Sequence, residues 1–443
     1  MVNNMNKLFI KNGKCFIDGQ WQDFNILVED EKISYVGPNN IDCENVFDAS
    51  GLKIIPGLID PHVHFALDCG TVTSVDDFND GTRSAIYGGV TTIVDFLDPT
   101  RNAIKLERSF YDRLSLAKTS NVDYHLHGCI KEPDADLEQY VLMMKKLGIN
   151  TIKLFTTYSE THRRTYDKDI IELLRLSKKY NFLVCCHIEN DEMVDLKPEY
   201  KCTDIAFARP SVSETSEVMN LAQFAKDTGG YLYIVHCSSG ETLKQLIEKF
   251  GDILGKNIFV ESCPQYFCFN KEVLNTENGC LYTFAPPLRS REEQELLIKN
   301  FKYINTIGTD HCSFNEEDKR SHPMLVGHPL GIGGIESSFL VLHKLFGDAV
   351  IDKMSKNVAV LEGFSQKGSI FEGKDADLVF IKDVPSYKLR KPHGKADYSI
   401  YEGTELNEKI IHTMLRGKFV LKDEQYIGGK GELINCDKET KLW

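Results

Sequence analysis

Between about residues 56 and 371, short apolar runs alternate with longer amphipathic stretches. This alternation is typical of βαβ units, in which helices join parallel strands, and it predicts an α/β fold. Eight runs are candidate strands, the number that closes a (β/α)8 barrel. The runs are GLIDPHVH, VTTIVDF, VDYHLHGCI, NTIKLF, FLVCCHI, YLYIVH, NIFVESC and NTIGTD. The connector DADLEQYVLMMKKLG has apolar residues at helical spacing, and Gly148 is placed to end that helix.

The two ends of the chain have a different pattern. Residues 8–55, and the sequence from about 372 onward, contain alternating apolar residues and turn dipeptides such as Asp18-Gly19. Such a pattern predicts antiparallel hairpins. We therefore predict a small β domain formed by residues 1–55 and 372–443, and a barrel domain formed by residues 56–371.

Composition argues against several classes of protein. The net charge of −13 disfavours a general affinity for nucleic acid or anionic membranes, because both bind clustered lysine and arginine. The start, MVNNMNKLFIKNGK, lacks a secretory signal, and the sequence has no apolar run long enough to span a membrane. The thirteen cysteines are scattered without a C-x-x-C motif. We therefore expect a cytoplasmic protein with free thiols and no structural zinc knot.

Metal-compatible side chains occur near the ends of five candidate strands. Active-site residues of a (β/α)8 barrel lie at the carboxyl ends of its strands, so these side chains are expected to converge. They are His62 and His64 on the first strand, Lys153 on the fourth, His187 on the fifth, His236 on the sixth and Asp310 on the eighth.

His62 and His64 are two residues apart on a strand, so both imidazoles project to the same side and can bind one ion. Alone, such a pair more often marks histidines without metal, but here other candidate ligands accompany it. His125 and His127 form a second alternating pair, which we interpret as structural. Four cysteines near the predicted site are interpreted as small buried fillers: Cys186, Cys237, Cys263 and Cys312.

Lys153 lies in an otherwise apolar strand, where an unpaired charge is costly. It could extend its amine to the barrel mouth, but we favour a carbamate, formed with CO2, that bridges two metal ions. Asp310 could simply accept backbone hydrogen bonds; the alternative is that it binds one metal and shuttles the proton of a bridging hydroxide. Tyr158, five residues after Lys153, either packs or donates its phenolic hydrogen to a developing oxyanion.

Several motifs together resemble the amidohydrolase superfamily, in particular its dihydropyrimidinase and hydantoinase branch. They occur in the same order and spacing over nearly the whole chain: PGLIDPHVHF, IKLFTTY, HIEN, IVHCSS, CPQYF, APPLRS, GTDHCSF and GIGGIE. The resemblance implies a distorted TIM barrel with a small β-sandwich built from both termini. It also implies a cytoplasmic homotetramer that acts on small cyclic amides.

The resemblance also implies a two-metal site. One ion would be held by His62, His64, carboxylated Lys153 and Asp310, and the other by Lys153, His187 and His236. Zinc is the usual ion, with manganese or cobalt as alternatives. The position of Tyr158 is that of the oxyanion tyrosine of the family.

The implied reaction is the opening of a dihydropyrimidine or 5-substituted hydantoin ring to an N-carbamoyl amino acid by a metal-bridging hydroxide. Ala285 and Gly333 differ from the usual Ser and Asn of the family, which bind the substrate ring partly through backbone groups. An arginine typical of dihydroorotases is absent after His64, where Phe65 stands. An allantoinase-like enzyme remains an alternative, as does a metal-free scaffold of the collapsin response mediator type.

Overall fold

A computed structural model describes residues 7–436. Residues 1–6 and 437–443 of the predicted β domain lie outside the described residues. The strands are β1 (Lys7–Ile17), β2 (Gln20–Glu29), β3 (Lys32–Gly37), β4 (Val46–Asp48), β5 (Lys53–Pro56), β6 (Leu58–Val63), β7 (Val90–Phe96), β8 (Asp123–Cys129), β9 (Thr151–Phe155), β10 (Leu183–His187), β11 (Leu232–Ile234), β12 (Ile258–Ser262), β13 (Thr306–Ile307), β14 (Leu378–Lys388), β15 (Glu405–Leu415), β16 (Lys418–Lys422) and β17 (Gln425–Tyr426).

Helices connect most of the central strands. They are α1 (Phe78–Tyr87), α2 (Ala103–Ala117), α3 (Leu137–Lys146), α4 (Asp167–Tyr180), α5 (Ile205–Ala208), α6 (Ser211–Thr228), α7 (Gly240–Phe250), α8 (Pro264–Cys268), α9 (Arg291–Lys299), α10 (Glu316–Arg320), α11 (Ser338–Phe346) and α12 (Lys356–Glu362). Gly148 follows α3 with a positive φ of 79°, as predicted for a residue that ends a helix. Among residues 7–436, no helix combines the length and the apolar character that a membrane span requires.

The eight central strands form the predicted parallel sheet, in the sequential order β6 to β13. Val63 pairs with His311, just beyond β13, so the two edges of the sheet meet and nearly close the barrel. The strand residues are buried almost throughout, as expected for parallel strands that are covered on both faces. The predicted barrel is therefore confirmed, with strand ends within a few residues of their expected positions.

The terminal segments join in one sheet of nine strands. The β1–β2 hairpin turns at Asp18 and Gly19, which have positive φ values of 47° and 77° as a tight hairpin turn requires. At the centre of the sheet, β5 from the first segment pairs with β14 from the second, with Val379 opposite Ile55. Both ends of the chain thus contribute to one sheet, and the division into two domains at residues 55 and 371 stays a prediction.

A buried ion network lies between this sheet and the amino ends of the barrel strands. The Lys367 Nζ lies 2.5 Å from Asp123 and 2.8 Å from both Asp375 and Asp377. Arg416 on the terminal sheet also pairs with Asp123, the first residue of β8. The network therefore ties the terminal sheet to the barrel on the face opposite the predicted site. As predicted, the thirteen cysteines, all of which lie within residues 7–436, form no disulfide bond with one another.

Candidate metal centre

Five of the predicted ligands form one cluster at the carboxyl ends of the barrel strands. The Nε2 atoms of His62 and His64 each lie 3.2 Å from Asp310 Oδ1. The ring of His236 has its centroid 4.6 Å from that of His187 and 5.4 Å from that of His62. Barrel closure therefore brings residues from four strand ends to one point.

Lys153 is the sixth predicted ligand and lies on β9 beside this cluster. Its side chain is only 2% exposed, and its Nζ lies 5.0 Å from the centroid of the Phe96 ring. The same ring stacks on His64, at 4.8 Å. Within residues 7–436, the Lys153 amine has no hydrogen bond or ion pair. Buried lysines are usually paired, so an amine at this position is available for a further interaction within the site.

Two of the histidines have the protonation state that metal ligands need. Burial lowers the pKa values of His62 and His236 well below the usual range of histidine, so both are neutral near pH 7. The Nδ1 of His62 lies 2.8 Å from Glu261 Oε1, while its Nε2 is buried and has no hydrogen-bond partner among the residues that the structure describes. A buried nitrogen directed at a carboxylate and another imidazole, without a hydrogen bond, is well placed to bind a cation.

Asp310 complements the neutral histidines with a negative charge. Burial opposes its ionisation, but His62, His64 and Lys153 outweigh burial and hold the pKa of Asp310 at about 2. The carboxylate is therefore ionised near neutral pH. It can bind a cation or accept a proton, the two functions predicted for it.

Two buried glutamates orient the histidines, and neither was singled out from the sequence. Glu261 on β12 contacts His62 Nδ1 and accepts a hydrogen bond from the His236 backbone N–H at 3.0 Å. Glu189 contacts His187 Nε2 at 2.8 Å and pairs with Arg209. Carboxylates in this position fix the orientation and tautomer of metal-binding histidines. The sequence did contain one indication that Glu261 belongs to the site, because it is a charged residue inside the apolar run NIFVESC.

Tyr158 follows β9 and lies at the edge of the cluster. Its ring centroid is 5.1 Å from that of His187, and the Arg209 Cζ lies 4.7 Å from the tyrosine ring. Burial raises the pKa of Tyr158 to about 12, which keeps the hydroxyl protonated near neutral pH. The phenol can therefore donate a hydrogen bond to negative charge that develops beside the cluster.

Three residues at the site have positive φ values that are unusual for non-glycine residues. The values are 69° for Tyr158, 42° for His236 and 53° for Asp310. Such conformations persist only where the surrounding structure enforces them, and they concentrate at functional sites. The backbone thus places these side chains at some conformational cost.

The two predicted substrate-binding positions border the same region. The Gly331 N–H donates to Thr283 O at 3.2 Å, which joins the segments that contain Gly333 and Ala285. A Cβ atom added to Gly333 would lie 3.5 Å from His311 Cε1, next to the residue that follows Asp310. Neither Ala285 nor Gly333 has a polar side chain, so a contact with substrate there would use backbone groups.

The other predicted residues serve the core. His127 bonds through its two ring nitrogens to Pro61 O and Thr151, while His125 contacts Ile434 O and Cys436. Both histidines therefore use their ring nitrogens in structural contacts, in agreement with the prediction. The four cysteines near the site are buried, as expected of fillers: Cys186, Cys237, Cys263 and Cys312.

Comparisons with known proteins agree with this geometry. The sequence profile of the Amidohydrolase family matches residues 54–326. A D-phenylhydantoinase from Escherichia coli is 31% identical over 97% of this chain and 98% of its own length. A D-hydantoinase from Geobacillus stearothermophilus is 29% identical, over 99% and 98%. The solved structure of a dihydropyrimidinase from Brevibacillus agri superposes with a TM-score of 0.91 at 26% identity, covering 97% of this chain and 99% of that one. The chain therefore belongs to the amidohydrolase family, in its hydantoinase branch.

Proposed function

We propose that the protein is a metal-dependent hydrolase that opens the ring of a dihydropyrimidine or a 5-substituted hydantoin. The reaction breaks a cyclic amide C–N bond and yields an N-carbamoyl amino acid. The observation that carries this proposal is the convergence of four histidines and an ionised Asp310 beside the buried amine of Lys153, which has no direct ion pair among residues 7–436. The hydantoinases and the dihydropyrimidinase among the relatives support the choice of ring substrates.

Membership of the amidohydrolase family implies divalent metal ions, and the donor set fits them. Imidazole and carboxylate ligands suit zinc, while manganese and cobalt are the alternatives. One ion would be held by His62, His64, Lys153 and Asp310, and the other by Lys153, His187 and His236. Lys153 would bridge them as a carbamate, formed when its neutral amine adds to CO2 and loses a proton.

When bound, the ions would polarise the ring carbonyl and lower the pKa of water, so that a nucleophile forms near neutral pH. The protein's own residues perform the other steps. Tyr158 donates a hydrogen bond to the oxyanion that develops as the carbonyl is attacked. Asp310, ionised before the reaction, accepts the proton of the attacking water and later transfers it to the leaving ring nitrogen. Glu261 and Glu189 hold the imidazoles in position throughout.

A substrate panel tests this function. The purified, metal-loaded protein would be assayed with dihydrouracil, hydantoin, allantoin and dihydroorotate. Hydrolysis of the first two supports the proposal. Activity confined to allantoin and dihydroorotate would replace it with an allantoinase-like or related cyclic amidohydrolase.

Elemental analysis distinguishes the enzyme from a metal-free scaffold of the same fold. About two transition-metal equivalents per chain are expected after growth with zinc. Far fewer equivalents, together with no hydrolysis of any ring, would favour the scaffold. The homotetramer and the cytoplasmic location implied by the sequence stay predictions.

A further inference from the structure

Arg209 lies between the two groups that border His187, namely Tyr158 and Glu189. It follows the short helix α5, and its side chain is only 2% exposed. Its Nη1 lies 2.5 Å from Glu189 Oε2, while its Cζ lies 4.7 Å from the centroid of the Tyr158 ring. One guanidinium therefore contacts both the carboxylate behind a candidate metal ligand and the predicted oxyanion donor.

The backbone of Arg209 is fixed by hydrogen bonds. Its N–H donates to Ile205 O at 2.9 Å, and its carbonyl oxygen accepts a hydrogen bond from Arg289 Nη1 at 2.5 Å. Arg289 is itself buried, and it donates through Nε to Ser238 Oγ at 2.8 Å and pairs with Glu214 at 3.4 Å. Arg209 is therefore anchored independently of the loop after β9.

The orientation of the Tyr158 ring, by contrast, depends on packing. The φ of Tyr158 is 69°, which is unfavourable for a residue other than glycine. Its hydroxyl makes no hydrogen bond in the part of the chain that the structure describes. The ring packs against Phe155 and His187, at centroid distances of 5.8 and 5.1 Å, and against the Arg209 guanidinium. A change at Arg209 therefore alters one of the contacts that set where the hydroxyl points.

A guanidinium suits these two contacts better than an ammonium does. It is planar, so it can stack on an aromatic face while its edge donates hydrogen bonds to a carboxylate. Arg209 makes both contacts at once, with the Tyr158 ring and with Glu189. Glu189 also compensates the positive charge of Arg209. The contribution of Arg209 to the site is therefore geometric, because its charge already has a partner.

We propose that Arg209 is a positioning residue that holds the Tyr158 hydroxyl at a fixed place relative to His187. The inference rests on the proposed function and deepens it by assigning the residue that orients the oxyanion donor. The oxyanion develops only as the ring carbonyl is attacked, so a misplaced donor weakens binding of the transition state more than binding of the substrate. Substitution of Arg209 should therefore lower kcat and change KM little.

A double-mutant cycle tests the assignment. Arg209→Lys, Tyr158→Phe and the combination of both would be assayed with hantoin-type substrate, namely hydantoin, under saturating zinc. Arg209→Lys should lower kcat about 10- to 100-fold, as misplacement of a group by about 1 Å can, and shift KM by less than about threefold. In the Tyr158→Phe background, the same change should lower kcat by no more than about twofold, because the hydroxyl that Arg209 positions is already absent. Equal losses in both backgrounds, or an unchanged kcat in Arg209→Lys, would overturn the inference.

Metal content separates the orientation of Tyr158 from the support of His187. Lysine can still pair with Glu189, so Arg209→Lys should retain the zinc content of the unaltered protein, as measured by elemental analysis. A fall in kcat that only follows a loss of zinc would assign Arg209 to metal support and overturn the inference. If Arg209→Lys does not fold, Arg289→Gln removes the hydrogen bond to the Arg209 carbonyl and has to show the same dependence on background.

Arg113→Lys is the matched control for this cycle. Arg113 is also buried and pairs with Asp95 at 2.6 Å, but its Cζ lies over the Phe78 ring, 5.1 Å from the centroid. Its effect on kcat should be the same with and without the Tyr158 hydroxyl. A dependence on background as large as that of Arg209→Lys would contradict the assignment. Failure of the unaltered, metal-loaded protein to hydrolyse hydantoin would instead refute the proposed function itself.

Discussion

Two clusters of ionisable side chains lie at opposite ends of the barrel, and they differ in how their charges are compensated. Each brings three candidate metal ligands within 4.8 Å: His62, His64 and Asp310 at the carboxyl ends of the strands, and Asp123, Asp375 and Asp377 at the amino ends. In the second cluster, Lys367 and Arg416 neutralise the carboxylates. In the first, within the described residues 7–436, the nearby amine of Lys153 has no direct ion pair and His62 Nε2 has no hydrogen-bond partner.

Both clusters contain residue types that can bind a metal ion, so residue type does not distinguish a structural cluster from a functional one. The compensation of their charges does. A buried ion network with its own counter-charges is complete, and its removal should affect folding. A cluster of two imidazoles and one carboxylate is instead suited to an added cation. The predictions below test this distinction, beginning with the largest expected effect.

The Lys153→Ala variant should lose at least about a thousandfold in kcat/KM, because the carbamate that would bridge the metals cannot form. Metal content, measured by elemental analysis, should fall in parallel. Lys146→Ala, at an exposed position on α3, is the matched control and should behave like the original protein. Normal metal content and turnover in Lys153→Ala would refute the bridging role.

The Lys367→Met variant should lower the free energy of unfolding by about 3–5 kcal/mol, because it leaves Asp123, Asp375 and Asp377 without their shared cation. Urea unfolding measures this loss. Lys356→Met removes an exposed pair with Asp18 and should cost less than about 1 kcal/mol. The distinction between the clusters would fail if folded Lys367→Met protein lost its metal while stability stayed unchanged.

The Tyr158→Phe variant should reduce kcat by about 10²–10³-fold, because one hydrogen bond to the oxyanion is lost. Its metal content should match that of the unaltered protein, since the phenol is not a proposed ligand. With a pKa of about 12, Tyr158 should cause no loss of kcat between pH 7 and 9. Tyr166→Phe, at an exposed position, provides the control. Unchanged kcat in Tyr158→Phe would exclude the oxyanion role.

The Glu261→Gln variant should weaken metal binding by about 10–100-fold, the usual effect of losing a carboxylate behind a metal-binding histidine. Competition with a chelator measures the affinity. Glu248→Gln on α7, which is exposed, should leave it unchanged. Equal affinities in both variants would mean that Glu261 only fills space, as the core residues around it do.

Local patterns predicted the barrel accurately because most of its strands are short runs rich in apolar residues. The run NTIKLF corresponds to β9, and its single charged residue, Lys153, is the candidate bridging ligand. The supporting residues were harder to predict. Glu261 acquires its proposed role from a neighbour on another strand, namely His62. No local periodicity in the sequence indicates such pairs.

The sequence by itself thus determined the order of strands, the sheet formed by both ends of the chain and the positions of the candidate ligands. These properties depend on residues close together in the chain and on the identity of single side chains. Only the tertiary structure decided which buried charges are compensated, because compensation depends on groups that barrel closure brings together. His62 meets Asp310 in this way, and Lys367 meets Asp123, while the Lys153 amine has no direct counter-ion in the described part of the chain.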